Sequence, residues 1–316
     1  MQQYIGRRLL LAVPTILAVI FFTFMMVRLV PGDAADVILS EQPYATEAQK
    51  TKLRQELGLD KPIPTQFVVY LGNVLRGDLG DSPWTKRSVV SELKSRLPIT
   101  LEFGILAIVI GLIVAVPIGI VSALKQDTWA DYTSRSFAIF AISVPYFFTA
   151  TVLVIFPVSL IGWAPPLTYV AWSEGPLNHL YYFFFPAALL GISLSGGVMR
   201  MTRTMMLEVM RQDYIRTAFA KGLTERAVVY RHAVRNAMIP VITIVGLQLG
   251  VAISGTLILE TIFNMPGVGR FFIDAIFKRD YPSVQGVVLV LAFVTVGVNL
   301  VVDVLYAAID PRIRYS

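Results

Sequence analysis

The sequence predicts an all-α integral membrane protein with six transmembrane helices and both termini on the cytoplasmic side. Three observations predict it: an apolar composition, six long apolar stretches, and basic residues gathered on one side of them. Of the 316 residues 55% are hydrophobic and only 15% charged, where a soluble domain carries about 25% charged residues. A helix needs about 20 mostly apolar residues to cross the hydrocarbon core, because backbone groups without partners there cost several kcal/mol each.

The six stretches cover residues 9–30, 99–124, 137–161, 180–199, 238–259 and 284–309. The first follows Arg7 and Arg8 as a signal peptide would, but its apolar run is too long and no small-residue cleavage site follows, so it reads as a retained span. The chain then divides into the N-terminus with span one (1–30), an external cap loop (31–98), a five-span core (99–309) with an internal loop at 200–236, and a C-terminal tail (310–316). Orientation follows from the loops that carry Lys and Arg. One side holds Arg7, Arg8, Lys125, Arg135, Arg312 and Arg314 with the basic internal loop, whereas the short loops opposite hold only Arg270, Lys278 and Arg279.

The external loop has structure of its own. Thr46 and Gln49 are spaced for a capping box before a helix through Leu53 and Leu57, and Lys61-Pro62-Ile63-Pro64 breaks that helix. Phe67, Tyr70, Leu71, Val74 and Leu75 then recur at helical spacing up to Gly77, which predicts a second, amphipathic helix. Trp84, Trp163, Trp172 and Trp129 fall outside the spans, as interfacial anchors do.

Composition and motifs also exclude chemistry. Cysteine is absent, which removes disulfides and thiolate sites, and only His179 and His232 are present. The dipeptide Gly-Lys does not occur, so there is no P-loop for ATP, and neither H-E-x-x-H nor G-x-S-x-G is found. Gly267-Val268-Gly269 lacks the third glycine of a dinucleotide fingerprint. The chain reads as a non-enzyme, with no metal or cofactor site of its own. Ionisable residues in or near spans are Arg28, Glu102, Glu260 and Asp303; the first three lie near span ends, where snorkelling or local pairing satisfies them, and Asp303 lies deepest. Asp303 and Asn299 are the candidates for a substrate path. Pro117, Pro145, Pro157 and Pro186 are candidate kinks that free carbonyls toward a cavity.

Residues 200–235 hold eight basic residues against Glu208, Asp213 and Glu225, a net of +5. The overall charge of +6 therefore sits mainly on one face and needs no nucleic acid; it suits anionic lipid or a cytosolic protein. On charge alone an amphipathic helix resting on the membrane surface is the alternative reading of this segment.

The residue order is more informative. Arg216-Thr217-Ala218-Phe219-Ala220-Lys221-Gly222-Leu223, followed by Tyr230-Arg231-His232-Ala233-Val234-Arg235-Asn236-Ala237-Met238-Ile239-Pro240, resembles the EAA loop of ABC importer permeases in its peptide-transporter variant. Arg216 and Thr217 stand where the general pattern has Glu and Ala, and the interval from Gly222 to Pro240 is longer than usual. Further matches run along the chain: Tyr4-Ile5-Gly6-Arg7-Arg8, Leu29-Val30-Pro31-Gly32-Asp33, Glu260-Thr261-Ile262-Phe263-Asn264-Met265-Pro266-Gly267-Val268-Gly269, Arg279-Asp280-Tyr281-Pro282-Ser283-Val284-Gln285-Gly286 and Asp310-Pro311-Arg312-Ile313-Arg314-Tyr315. Together they resemble the dipeptide and oligopeptide permease family.

That resemblance implies a type I ABC importer permease fold in a bacterial or archaeal plasma membrane. It implies a homologous second permease, two cytosolic ATPases that bind ATP and Mg, and an external substrate-binding protein. Arg216, Thr217, Ala218, Lys221, Gly222 and Leu223 would then form a coupling helix for an ATPase subunit. Small Ala218 and Ala220 allow close approach, and Gly222 turns the chain sharply out of the helix. The cap and the loop 263–282 are the expected docking surfaces for the binding protein. Nickel chelates, glutathione and oligosaccharides are alternative substrates within such a family. A secondary transporter or channel is the alternative of another class, and would show inverted repeats, broken helices at matched positions and deep charged residues. A scaffold or assembly factor is a third.

Overall fold

The computed structural model describes residues 2–29, 35, 47–56 and 58–309. Their helices are α1 (Gln2–Leu29), α2 (Glu47–Glu56), α3 (Ile63–Leu75), α4 (Val89–Leu124), α5 (Trp129–Ser143), α6 (Tyr146–Ile161), α7 (Pro176–Met210), α8 (Asp213–Ala220), α9 (Val234–Ile262), α10 (Val268–Phe277) and α11 (Tyr281–Ile309). A short α turn (Glu225–Ala227) and a π-helix (Val228–Ala233) lead into α9. The β pairing among these residues is an isolated bridge between Asp81 and Ser88.

Among the described residues four helical runs are long and apolar enough to cross a bilayer: α4, α7, the continuous run Glu225–Ile253, and α11 over Tyr281–Val302. In α1 the apolar portion is Leu10–Met26. The third expected span, 137–161, is not one straight helix. It divides into α5 and α6, which together pass as a span but are bent by 89°. Pro145 stands at the break: it has no N–H to continue the ladder and pushes Val144 out of the α region, to φ −89° and ψ 120°. Pro117, by contrast, sits within an unbroken α4, and Pro157 and Pro186 lie inside α6 and α7.

The other helices overrun the expected spans. α4 begins ten residues before 99, and α7 continues to Met210, so much of the expected internal loop is helix. In the cap, Pro62 precedes α3 and Pro64 lies in its first turn, so the Lys61–Pro64 segment opens the second helix, whereas the first already ends at Glu56, with Gly58 at φ +65° and its N–H on Gln55 O. Gly77 follows α3 with φ +78°. The proposed capping residue Thr46, Leu57 and the tail 310–316 lie outside the described residues.

The chain forms two compact units. One contains 100–265 and the residues from 298 onward. Its axis is α7, which packs against α5, α6 and α9, around Ala115, Ala138, Val198, Met199 and Val241. Helices meet there through small residues. A Cβ on Gly191 would lie 2.4 Å from the Ala107 carbonyl oxygen, and one on Gly111 2.8 Å from that of Gly191. In a membrane such backbone approach substitutes for the hydrophobic drive that lipid cannot supply.

The other unit contains 2–99 and 266–297. Val89, Leu93, Val268, Phe271 and Val287 form its core. Asp280 caps α11, accepting from the Ser283 N–H at 3.2 Å and Oγ at 2.8 Å, and it also accepts from the Ser82 hydroxyl. The Trp84 indole donates to the Lys278 carbonyl at 2.9 Å. The loop after α3 is thereby fastened to the turn before α11. Arg28, at the end of α1, donates to Gln66 Oε1 through Nε and Nη2, at 3.0 and 2.9 Å, and ties α1 to α3.

Candidate functional site

The candidate site is the segment from α8 to the start of α9. Thr217 Oγ1 donates to the Asp213 carbonyl at 3.0 Å, and Arg216 pairs with the Asp213 carboxylate at 3.3 Å, both within α8. Lys221 follows the last helical residue. Gly222 then takes φ +81°, a left-handed conformation that strains any side chain, and the chain leaves α8 there. A Cβ on Gly222 would meet nothing within 4 Å, so backbone conformation rather than space calls for glycine. Its N–H donates to Phe219 O at 2.9 Å and that of Leu223 to Ala218 O at 3.4 Å, which seals the helix end.

α8 has two faces. Ile215 and Ala218 are buried, whereas Arg216, Thr217, Lys221, Gly222 and Leu223 are exposed. The buried pair belongs to a core formed with Ile120 and Ala123 of α4, Met206 of α7, Val228, Val229 and Ala233 of the π-helix, and Ala237 of α9. The exposed face adds Tyr214 and Phe219, 43% and 42% accessible, beside the cations. A surface that mixes aromatic and basic side chains suits a protein partner, since Tyr and Arg are enriched at interfaces. Asn236 Nδ2 donates to the Tyr214 hydroxyl at 3.0 Å, linking α8 directly to α9.

The six-residue π-helix lies inside the long Gly222-to-Pro240 interval. A π-helix absorbs extra residues without ending a helix, and such bulges recur at functional sites. The length of the interval was readable from sequence; its conversion into a π-helix was not.

A buried ion pair braces the same end of the unit. Asp131 is fully buried, and Arg203, 19% exposed, grips it through two hydrogen bonds of 2.7 Å each. Ser122 Oγ donates to Asp131 Oδ1 at 2.6 Å and the Asp127 N–H to Oδ2 at 3.1 Å. One carboxylate thereby joins α4, α5 and α7. Alongside it lies an open cleft of about 430 Å³ lined by Ser134, Arg135, Ile139, Ile142, Arg200 and Thr204 among others.

The ionisable residues at span ends are paired rather than snorkelling. Glu102 Oε1 accepts from Trp172 Nε1 at 3.0 Å and lies 2.8 Å from His179 Nε2, while His179 Nδ1 faces the Val170 carbonyl at 2.7 Å. His179 is fully buried between the rings of Trp172 and Phe183, with centroids 4.7 and 4.6 Å away. Trp172, 49% exposed, is thus tied to a packed cluster. Trp129, expected in a loop, is the first residue of α5 and is 84% exposed. Glu260 is buried far more deeply than its position near a span end suggests: it is fully buried and accepts from Thr100 Oγ1 at 2.7 Å. Of the expected substrate-path pair, Asn299 is exposed on α11, and the side chain of Asp303 lies outside the described residues.

Comparison with known proteins agrees with this architecture. Residues 115–315 match the family described as binding-protein-dependent transport system inner membrane component, and residues 1–104 match the N-terminal model of such membrane components. The chain is 39% identical over 339 residues to the dipeptide transport system permease protein DppB of Escherichia coli K12, covering all of both chains. It is 38% identical over 335 residues to the DppB of Alkalihalophilus pseudofirmus, again over the whole of both. Among solved structures it is similar to the MetNI methionine ABC transporter in inward-facing form, with a TM-score of 0.55 and 14% identity over 70% of this chain and 97% of that one. An amino acid ABC transporter solved with histidines gives a TM-score of 0.51 and 15% identity over 71% of this chain and 94% of that one. At these identities the two structures bear on the fold alone.

Proposed function

This chain belongs to the family of binding-protein-dependent transport system inner membrane components, and on that premise we propose that it is the membrane-spanning subunit of an ATP-driven ABC importer of di- and oligopeptides. The observation that carries the proposal is the placement of α8. Its inner face shares one apolar core with the ends of α4, α7 and α9, while its outer face presents aromatic and basic side chains. A cytosolic ATPase that grips the outer face moves the transmembrane helices through the inner one, because a close-packed core transmits displacement rather than absorbing it.

In this reading α1 is the first of six spans and both termini are cytoplasmic. A homologous second permease completes the pathway, and two cytosolic ATPases bind and hydrolyse ATP with Mg. An external substrate-binding protein delivers peptide to the cap and the turn before α11, with Asn299 and Asp303 on the substrate path. Arg216, Thr217, Lys221, Gly222 and Leu223 make the coupling contact, whereas Ala218, expected to share it, is buried on the inner face and carries the movement into the core. ATP-driven closure of the ATPases pulls on α8 and opens the cavity outward, and hydrolysis resets it. The peptide substrate rests on the names of relatives about 40% identical over their full length.

The test is uptake of labelled dipeptide into liposomes by the complex assembled with its neighbouring subunits, for wild type and Gly222→Asp. Uptake that requires ATP and binding protein, and collapses in an intact Gly222→Asp complex through the carboxylate added to the contact surface, is the expected result. ATP-independent flux that ignores the substitution would identify a secondary transporter or channel instead. ATP-dependent uptake of a nickel chelate, glutathione or an oligosaccharide in place of dipeptide would keep the machine and replace the cargo.

A further inference from the structure

The unit formed by 2–99 and 266–297 contains a half-open pocket of about 230 Å³, lined by residues that include Arg28, Lys61, Tyr70, Asn73, Asp78 and Gln285. Two of its polar atoms, the Tyr70 hydroxyl and Gln285 Nε2, are buried and meet no hydrogen-bond partner among the described residues. Gln285 is only 5% exposed. A buried polar group without a partner costs about 1–3 kcal/mol, and such groups in folded proteins are as a rule satisfied by something. The volume is several times the ~30 Å³ share of one liquid water, so the pocket accommodates more than a single solvent molecule.

The chemistry of the lining indicates what completes it. The amide nitrogen of Gln285 can only donate and the Tyr70 hydroxyl can donate, so the missing group accepts. Arg28 and Lys61 bring two positive charges. The acidic residue of the lining, Asp78, is exposed and has Oδ1 engaged by the Gly80 N–H at 2.8 Å. A net charge of +1 matches a monoanion, whereas a phosphate group with nearly two negative charges would leave one unbalanced. The walls are held in advance of binding. Gln66, fixed by Arg28 on one side, donates through Nε2 to the Leu59 and Lys61 carbonyls at 3.3 and 2.7 Å, and the Tyr70 ring stacks on Phe24 with centroids 5.7 Å apart. Pre-organised donors need little reordering when a ligand arrives.

We propose that this pocket is a carboxylate-binding site for a free amino acid or the C-terminal end of a short peptide, with Tyr70 and Gln285 donating to the carboxylate oxygens and Arg28 and Lys61 supplying the charge. The proposal does not depend on the coupling reading.

The test uses the full-length chain in lipid nanodiscs and reads thermal unfolding and binding against alanyl-alanine, alanyl-alanine amide, acetate and inorganic phosphate. Alanyl-alanine is expected to stabilise the wild type, with at least tenfold weaker binding of the amide. Acetate acting like the dipeptide would identify a general monocarboxylate site, and acetate failing would show that the peptide end is needed; both support carboxylate recognition. Tyr70→Phe and Gln285→Leu are expected to weaken dipeptide binding at least tenfold while leaving unliganded stability unchanged or raised. Equal binding of the amide, tighter binding of phosphate, or undiminished binding in both variants would overturn the proposal. So would lower unliganded stability in both variants, because those atoms would then have had protein partners.

Discussion

Arg203 and Asp131, 72 positions apart in sequence, meet through two hydrogen bonds of 2.7 Å, Nε to Oδ1 and Nη2 to Oδ2. The geometry is the bidentate fork that makes arginine irreplaceable by lysine at such sites. Arg203→Leu leaves a fully buried carboxylate with only Ser122 and the Asp127 N–H, and breaking one side of a buried pair costs about 3–5 kcal/mol. Thermal unfolding in detergent should show this loss. Arg203→Lys should recover only part of it, and Asp131→Leu combined with Arg203→Leu should be less destabilising than Arg203→Leu alone.

Gly222 makes a prediction about backbone alone. Since a Cβ there meets nothing, the penalty for a side chain is that of the left-handed conformation, about 1–2 kcal/mol for an ordinary L-residue and less for Asn. Coupled ATPase and uptake rates should therefore rank glycine first, then Gly222→Asn, then Gly222→Ala, then Gly222→Val. A flat series would show that the turn is not under conformational demand.

Two glycines in α4 and α7 should respond oppositely to alanine. At Gly191 the added carbon would lie 2.4 Å from a backbone oxygen, and backbone cannot step aside as a side-chain tip can. Gly191→Ala should lower stability by about 1–3 kcal/mol, the usual cost of overpacking. At Gly104 the nearest atom is a Thr256 methyl at 4.0 Å, so Gly104→Ala should be neutral or stabilising by up to about 1 kcal/mol. Parallel melting curves of the two variants check the contrast.

Glu102→Ala removes the acceptor shared by Trp172 and His179. Leaving the buried His179 ring nitrogen without its partner costs about 1–3 kcal/mol, and the loop that carries Trp172 should loosen. A red shift in Trp172 emission, measured with the other three tryptophans replaced by phenylalanine, reports it. Glu102→Gln should shift it less, since a carboxamide oxygen still accepts.

Much of this was legible in the sequence where a local signal suffices. Phe67, Tyr70, Leu71, Val74 and Leu75 mark α3 because their spacing alone defines a helical face, and Gly222 marks the end of α8 because a left-handed turn favours one residue type. Contacts between distant positions left no such trace. Nothing near Asp131 points to Arg203, and nothing near Trp172 points to Glu102, since each pairing exists only once helices have packed. Pro145 could be seen as a candidate break, but so could Pro117, which leaves α4 continuous. The difference lies in tertiary context rather than in the residue. Gln285 stands in the sequence only as part of a family-like segment, because a lone amide at the start of an apolar run looks like a helix-end residue, and its missing partner shows only in three dimensions.

The bend between α5 and α6 bears on how the protein is made. The two helices contain 15 and 16 residues, each about 22–24 Å long at 1.5 Å per residue, short of the ~30 Å hydrocarbon core. During synthesis they leave the ribosome as one apolar run, before α7 exists to hold them apart. Pro145 opens the break within the run itself, and the contacts of α5 and α6 with α7 then hold its angle. A nascent chain arrested ahead of residue 176 should hold this run in a straighter form than the finished protein does, so this corner is a late product of biogenesis.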